Sequence, residues 1–199
     1  MIKLYGAVNS RAFRVLWMLR ELGLEFDHVP TQPAETRSAA FLKLNPNAHI
    51  PVLVDGATVL WESMAINLYL ARKYGAGGLW PGNVADEGRV AQWTLWVVTE
   101  VEHPLLTVLM HRRNLPAEQR DAARAGAAEA KLAKPFGVLD GALRNRAYLV
   151  GDGFSVADLN VAAVLQWCRP AGVDLSAWPQ VDAWLARCIE RPAFEAARR

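Results

Sequence analysis

Polar side chains occur at two points of this sequence where a helix is predicted to begin, and such points attract negatively charged groups. Ser10 precedes an apolar helical pattern, where a serine side chain accepts a hydrogen bond from the first helical turn. Glu62 and Ser63 stand between a predicted strand and a second helix. Because the first N–H groups of a helix have no partner inside it, the Glu62–Ser63 corner indicates an anion site. Ser10 alone indicates a helix cap.

A proline step lies between these two points. Ile50 and Pro51 lead into the apolar run at residues 52–54. Pro51 has no N–H to donate to a sheet, and it restricts Ile50 to an extended backbone. An Ile-Pro bond at such a corner can be cis, and the sequence leaves both isomers open. An extended residue beside an unpaired strand edge favours binding of a peptide as an added strand.

The elements that must position these residues begin with a strand at residues 2–5. A helix is predicted over residues 10–23, with Ser10 as its N-cap and Gly23 just past its end. A second strand is predicted at residues 26–29. This strand-helix-strand order requires two parallel strands and a right-handed crossover.

The next segments complete an α/β domain. A short helix is predicted at residues 38–44, and Asp55-Gly56 predicts a hairpin turn between strands at 52–54 and 58–61. A helix follows Glu62. The order of the first domain is therefore β-α-β-α-β-β-α.

Strand patterns vanish after residue 78, so we expect a second, all-α domain. The predicted boundaries are 1–78 for the first domain, 79–85 for a linker and 86–199 for a helical bundle. Ser155 and Asp158 form a capping box at one of the helices, and Pro135 should kink another. The predicted helices span residues 86–113, 116–144, 155–167 and 179–190.

Composition excludes several classes of protein. A hydrophobic content of 52% with 21% charged residues indicates a globular chain, without an apolar run of the roughly 18 residues that a membrane span needs. A net charge of +2 with intermixed signs argues against nucleic acid as the main partner. The first residues enter a strand without the features of a signal peptide. Cys168 and Cys188 have no metal-type or redox spacing, and we expect a cytoplasmic protein without a metal.

Residues 45–63 resemble the glutathione-binding segment of the cytosolic glutathione transferases, through Asn-Pro, then Ile-Pro-Val-Leu, then Glu-Ser. The order of elements matches the thioredoxin-like domain that this resemblance also implies. The resemblance implies that Pro51 is cis and that Ile50 pairs its backbone with the cysteinyl unit of glutathione. It further implies that Glu62 and Ser63 hold the γ-glutamyl end. His49 could contact the glycine carboxylate, or it could be an ordinary solvated histidine.

The same resemblance, to serine-type enzymes of bacterial, theta or phi-like kind, implies that Ser10 stabilises the glutathione thiolate. A hydroxyl donor at a helix N-terminus lowers the pKa of a thiol from about 8.5 towards neutrality. Asn9 is a rival donor, and backbone N–H groups at the helix start are another. Tyr5 is a third rival, although its place in a strand favours a packing role.

The resemblance also assigns the helical domain an apolar pocket for an electrophile and contacts to a partner subunit. Trp93, Trp96 and His103 lie near helical spacing on the long helix and are the expected pocket residues. We expect the two tryptophans to divide between the pocket and the subunit interface.

Together with these patterns, the resemblance implies a homodimeric detoxification enzyme of the cytoplasm that conjugates glutathione, as co-substrate, to a small hydrophobic electrophile. Two alternatives remain: glutathione-dependent reduction of disulfides or peroxides, and a non-enzymatic scaffold or regulatory module of the same fold. No feature of the sequence identifies the second substrate.

Overall fold

A computed structural model describes all 199 residues and contains four strands and eleven α-helices. The strands are β1 (Ile2–Tyr5), β2 (Phe26–Val29), β3 (Val52–Asp55) and β4 (Thr58–Trp61). The helices are α1 (Ala12–Glu21), α2 (Ala39–Leu42), α3 (Ser63–Tyr74), α4 (Val84–Trp96), α5 (His103–Leu109), α6 (Ala122–Ala130), α7 (Ala133–Ala142), α8 (Val156–Leu165), α9 (Cys168–Ala171), α10 (Pro179–Ile189) and α11 (Pro192–Ala197).

The chain forms two compact units. The first contains Met1–Trp80 together with Glu190–Arg199, and the second contains Pro81–Ile189. The division after Trp80 falls inside the predicted linker at residues 79–85. The last ten residues, Glu190–Arg199, cluster with the first unit, whereas the predicted boundaries place them in the helical domain of 86–199.

The first unit is built on a four-stranded sheet with the order β2-β1-β3-β4. β1 and β2 are parallel, as the predicted crossover requires, whereas β3 runs antiparallel to both β1 and β4. Asp55 pairs with Thr58, so the two-residue hairpin turn consists of Gly56 and Ala57. Gly56 has φ 61°, a left-handed conformation that glycine adopts at little cost. The predicted α/β order of this unit is confirmed.

Helix α1 is buried along most of its length because α3 and α11 both pack against it. Phe194 of α11 makes edge-to-face contacts with Phe13 at 5.3 Å and with Trp17 at 4.9 Å between ring centroids. The Arg191 guanidinium donates to both carboxylate oxygens of Glu21, at 2.7 and 2.8 Å. Helix α11 was not predicted, because a helix of six residues carries too little periodicity to detect.

The second unit is entirely helical, as predicted. Residues 84–114 form one continuous helical run in which two segments, 97–102 and 110–114, have the wider π-type winding. The helix predicted over 116–144 is instead divided into α6 and α7. Pro135 explains the division, since its ring collides with the carbonyl of the residue four positions earlier, Lys131. The predicted kink is thus a break beside Lys131.

The capping box at the start of α8 is confirmed. Asp158 is fully buried, and its carboxylate accepts hydrogen bonds from the N–H and hydroxyl of Ser155. It also accepts from the N–H of Leu149 and the indole N–H of Trp184, both at 2.9 Å. One carboxylate therefore joins the start of α8, the preceding loop and α10. No helix in either unit is long and apolar enough to cross a membrane.

Candidate functional site

The sheet register brings the predicted glutathione-binding segments together at one end of the strands. Tyr5, the last residue of β1, lies opposite Val52, and Val52 lies opposite Trp61 at the end of β4. The chain therefore enters or leaves the sheet at the same end of the strands, at Gly6, Pro51 and Glu62. Residues far apart in sequence thus meet around one surface of the first unit.

Ser10 lies in the loop that connects the end of β1 to α1. Its hydroxyl donates a hydrogen bond to the carbonyl of Ala7 at 2.6 Å and accepts one from the N–H of Ala12 at 3.1 Å. By backbone geometry the N-cap of α1 is Arg11, so the predicted N-cap was displaced by one residue. Ser10 nevertheless accepts a hydrogen bond from the first helical residue, which is the interaction that the cap was expected to supply.

The hydrogen bonds around Ser10 limit which groups could donate to a ligand thiolate. The backbone N–H groups of Ser10 and Phe13 donate to the carbonyls of Ala7 and Ser10, and that of Ala12 is used by the Ser10 hydroxyl. These N–H groups are therefore engaged within the protein. The Asn9 side chain is exposed, which leaves it and a rotated Ser10 hydroxyl as side-chain donors.

The ring of Tyr5 makes a packing contact with a neighbouring aromatic ring. Its ring is half-buried and meets Phe41 edge-to-face, with 6.4 Å between centroids and 79° between planes. This contact supports the packing role expected for Tyr5.

The loop before β3 presents an open backbone at Ile50. The Ile50-Pro51 bond is cis, as the family resemblance implied, and Pro51 is buried. The amide of Asn45 donates to the carbonyl of His49 at 2.8 Å and its oxygen accepts from the N–H of Asn47 at 3.0 Å. No hydrogen bond within the protein engages the backbone of Ile50. His49 is exposed beside it.

Asn45 is a positioning residue whose role was not predicted, although it belongs to the Asn-Pro part of the family motif. It is 2% exposed, and its two hydrogen bonds hold the loop that presents Ile50. The signal available in the sequence was an asparagine followed by a proline in a predicted loop, because asparagine side chains in loops commonly bind backbone groups nearby.

The corner between β4 and α3 exposes the carboxylate of Glu62 at the N-terminus of α3. Glu62 has φ 70° and ψ 108°, an uncommon conformation for a residue other than glycine. Glu62 is the N-cap of α3 and Ser63 is its first residue. The Glu62 side chain is exposed, whereas Ser63 is 4% exposed. Backbone strain at a residue that carries a free carboxylate points to a binding role.

A buried cation lies behind this corner and was not predicted. Arg14 is 2% exposed, and its guanidinium donates to the hydroxyl of Ser63 at 3.4 Å. The carbonyl of Arg14 accepts from the amide of Asn67 at 3.2 Å. A fixed positive charge beside the N-terminus of α3 increases the attraction of this corner for an anion.

The expected electrophile-pocket residues lie in the second unit. Trp93 is 8% exposed and its ring meets that of Trp96 edge-to-face, 5.0 Å apart. Trp96 is partly exposed and His103 is exposed. Since the two rings contact each other, they form one aromatic cluster. Their assignment to the pocket, and their division between pocket and interface, stay predictions.

The two cysteines, Cys168 and Cys188, are buried thiols of the second unit. Burial raises the pKa of the Cys168 thiol to about 12, which keeps it protonated and unreactive at neutral pH. No group of three or more histidine, cysteine or acidic side chains is arranged to hold a metal ion.

Comparison with known proteins gives matches to one protein family in both parts of the chain. The family profile described as "Glutathione S-transferase, N-terminal domain" matches residues 1–72, and "Glutathione S-transferase, C-terminal domain" matches residues 98–192. Among characterised sequences, the chain is 36% identical to glutathione S-transferase 3 of Zea mays, over 98% of this chain and 91% of that protein. It is 31% identical to glutathione S-transferase GstB of Escherichia coli (strain K12), over 97% of this chain and 95% of that protein.

Solved structures give the same result. The theta class glutathione S-transferase of Xanthomonas axonopodis pv. citri, solved with glutathione bound, superposes with a TM-score of 0.91 at 29% identity, covering 98% of this chain and 96% of that one. Glutathione S-transferase-I bound with lactoylglutathione superposes with a TM-score of 0.90 at 32% identity, covering 99% of this chain and 98% of that one.

Proposed function

This chain belongs to the glutathione S-transferase family. On that premise, we propose that it conjugates the thiolate of glutathione to a hydrophobic electrophile at the end of the sheet where Gly6, Pro51 and Glu62 lie. The observation that carries this proposal is the row Tyr5–Val52–Trp61. It brings a hydroxyl, an unpaired backbone and an acid above a helix start to one surface.

Each end of the tripeptide glutathione has a matching group at this end of the sheet. The extended backbone of Ile50 pairs with the cysteinyl unit as an added strand would. The exposed Glu62 carboxylate binds the γ-glutamyl ammonium, and the Ser63 N–H and hydroxyl bind the γ-glutamyl carboxylate at the N-terminus of α3. Arg14, through its hydrogen bond to Ser63, adds positive charge there. His49 donates to the glycine carboxylate.

The thiolate is stabilised by Ser10 in this proposal. Its hydroxyl proton points at the Ala7 carbonyl, so donation to sulfur requires only a rotation about the Cβ–Oγ bond. The Ala12 N–H then continues to bind the same oxygen and polarises the hydroxyl. Asn9 is the alternative donor.

The reaction needs little beyond a positioned, ionised sulfur. The thiolate forms a bond to an electrophilic carbon and the leaving group departs with the bonding electron pair, such as halide from an aryl halide. Holding sulfur and carbon in contact supplies much of the acceleration. We assign the contacts to the electrophile to Trp93, Trp96 and His103 of the second unit.

We further propose a cytoplasmic homodimer that acts in detoxification. Two cysteines kept as buried thiols fit a reducing compartment. Exposed apolar side chains occur on β4 and α3, where Trp61 is 40% and Tyr74 37% exposed, and on α4, where Leu95 is 65% exposed. Such surfaces are typical of subunit contacts.

A kinetic screen of the purified protein with glutathione separates the possible activities. Conjugation of aryl halides, followed by loss of the free thiol and by product absorbance, is the expected result. Faster turnover of hydroperoxides or mixed disulfides would favour the reductase alternative, which would have to proceed without the buried Cys168 and Cys188. Glutathione binding without turnover of any of the three classes would favour a scaffold or regulatory module.

A further inference from the structure

A histidine on the neighbouring strand holds the backbone of the loop that carries Ser10. His28, in β2, is partly buried, and its Nε2 lies 2.8 Å from the carbonyl oxygen of Gly6. A carbonyl oxygen only accepts hydrogen bonds, so the imidazole carries a proton on Nε2 and donates it. The Gly6 N–H donates to the carbonyl of Val29 at 3.1 Å. Strand β2 therefore holds Gly6 through both of its backbone polar groups.

Gly6 packs closely against both the start of α1 and the Ile50-Pro51 corner. A Cβ at Gly6 would lie 2.5 Å from the Cβ of Ala12, 3.6 Å from the Cβ of Ile50 and 3.7 Å from the Cα of Pro51. Gly6 also has φ 150°, which side chains rarely permit. The start of α1 and the Ile50-Pro51 corner are thus in contact across a residue that has no side chain.

We propose that His28 is a positioning residue for the transferase reaction, setting the orientation of Gly6 and thereby the placement of Ser10 relative to Ile50. The inference rests on the proposed function, in which Ser10 contacts the sulfur and Ile50 the peptide backbone beside it. His28 itself touches neither. Its effect falls on the alignment of the Ser10 hydroxyl with sulfur, which matters most when sulfur carries its charge.

The test compares the His28→Ala and His28→Gln variants in three measurements. These are the dissociation constant of glutathione by calorimetry, the pKa of the bound thiol from thiolate ultraviolet absorbance, and kcat with an aryl halide. A neutral hydrogen bond of about 0.5–1.5 kcal/mol corresponds to a roughly 2- to 10-fold fall in kcat for His28→Ala. The bound-thiol pKa should rise and the glutathione dissociation constant should change less than kcat. A glutamine amide can donate to the same carbonyl, so His28→Gln should recover kcat and the thiol pKa.

A matched control lies on the same pair of strands. Asp27 is exposed and forms an ion pair with Lys3 of β1 at 3.7 Å, so Asp27→Asn removes a polar link between β1 and β2 without touching Gly6. His111→Ala removes a histidine of the second unit whose Nδ1 accepts from the Asp121 N–H. Both controls should keep the wild-type kcat and thiol pKa.

A readout in the ligand-free protein keeps the inference testable apart from the proposed function. His28→Ala should shift the amide resonances of Gly6 and Ser10 and speed their hydrogen exchange, and Asp27→Asn should not. Unchanged resonances would overturn the positioning role whether or not glutathione binds. A wild-type kcat and thiol pKa in His28→Ala, or equal losses in Asp27→Asn, would also overturn it. If the wild-type protein binds no glutathione, the proposed function fails instead, and the resonance comparison still decides how Gly6 is held.

Discussion

The guanidinium of Arg14 lies 3.4 Å from the hydroxyl of Ser63 and links the first helix to the start of the third. Both side chains are buried, Arg14 at 2% and Ser63 at 4% exposure. The link joins the helix that begins at the proposed thiolate donor to the helix that begins at the proposed γ-glutamyl site. This hydrogen bond therefore links the two halves of the proposed glutathione site through the interior of the first unit.

Arg14→Lys should weaken glutathione binding although it keeps the charge. A lysine ammonium has one shorter, flexible arm in place of the planar guanidinium, so the bond to Ser63 is lost. A loss of about 0.5–1.5 kcal/mol corresponds to a roughly 2- to 10-fold weaker dissociation constant, measured by calorimetry. Arg11→Lys, an exposed arginine on the same segment, is the control. Equal affinity of Arg14→Lys and wild type would show that the link does not serve binding.

Ser10→Ala should lower turnover more than it weakens glutathione affinity. The hydroxyl's hydrogen bond strengthens as charge builds on sulfur, and a bond to a charged group is worth about 1.5–3 kcal/mol, roughly one to two decades in kcat. The pKa of the bound thiol should rise, as ultraviolet absorbance against pH would record.

The matched control for Ser10 is Ser38, which caps α2 by accepting from the Phe41 N–H at 3.3 Å. Ser38→Ala should lower the melting temperature without changing the thiol pKa. If Ser10→Ala leaves kcat and thiol pKa at wild-type values, Asn9→Ala becomes the decisive variant. If neither variant changes kcat or the thiol pKa, both side chains are excluded as the thiolate donor.

Glu62→Gln should chiefly weaken binding, because its carboxylate is proposed to pair with an ammonium present in both ground and transition states. The expected loss of about 1.5–3 kcal/mol is a roughly 10- to 150-fold rise in the dissociation constant, with kcat at saturation changed far less. Glu62→Gly provides a second comparison, since glycine accommodates φ 70° and should stabilise the backbone while affinity still falls. A glutathione affinity that survives both changes would contradict the assignment.

Asp55 should make the first unit sensitive to acid. Burial disfavours its charged form, but hydrogen bonds from Lys73, Tyr74 and Tyr69 outweigh burial and hold the pKa of Asp55 below its usual value. A carboxyl whose folded pKa lies below its unfolded value of about 3.9 stabilises the fold above that pH, and the contribution is lost as pH falls through the folded pKa.

Asp55→Asn should therefore reduce the free energy of unfolding at pH 7, by about 1–3 kcal/mol for the weakened bonds to its partners. The difference in the free energy of unfolding between variant and wild type should narrow as pH falls below about 4, because the wild-type carboxyl is then increasingly protonated and uncharged, like the asparagine. Denaturant unfolding across pH measures both. Asp27→Asn, at an exposed ion pair, should show almost no gap at either pH. A gap that widens in acid would refute the assignment.

Leu95→Glu should convert a dimer to a monomer. Leu95 is 65% exposed on α4, one of the two helices whose apolar surface predicts the subunit contact. Light scattering should change from about twice the chain mass of 22.0 kDa to that mass. Val138→Glu, which changes a side chain that is 49% exposed on α7, should leave the mass unchanged. A wild-type protein that scatters as a single chain at micromolar concentration would refute the dimer.

The sequence by itself determined those features that depend on neighbouring residues. Strands β1, β2 and β4 have the predicted bounds because alternating and β-branched patterns are local. The capping box of Ser155 and Asp158 and the break before Pro135 follow from groups within four positions of each other. The proline step and the Glu62-Ser63 corner were also recognisable, because their chemistry is contained in short segments.

Only the tertiary structure decided how these segments meet. The Arg14–Ser63 bond spans 49 positions, the His28–Gly6 bond spans 22, and the Arg191–Glu21 ion pair spans 170. The left-handed backbone of Glu62 and the tight contact of Gly6 with Ala12 likewise depend on how neighbouring elements pack. No local pattern encodes such pairs, since each forms only when the sheet register and the helix packing place both partners within hydrogen-bond or van der Waals distance.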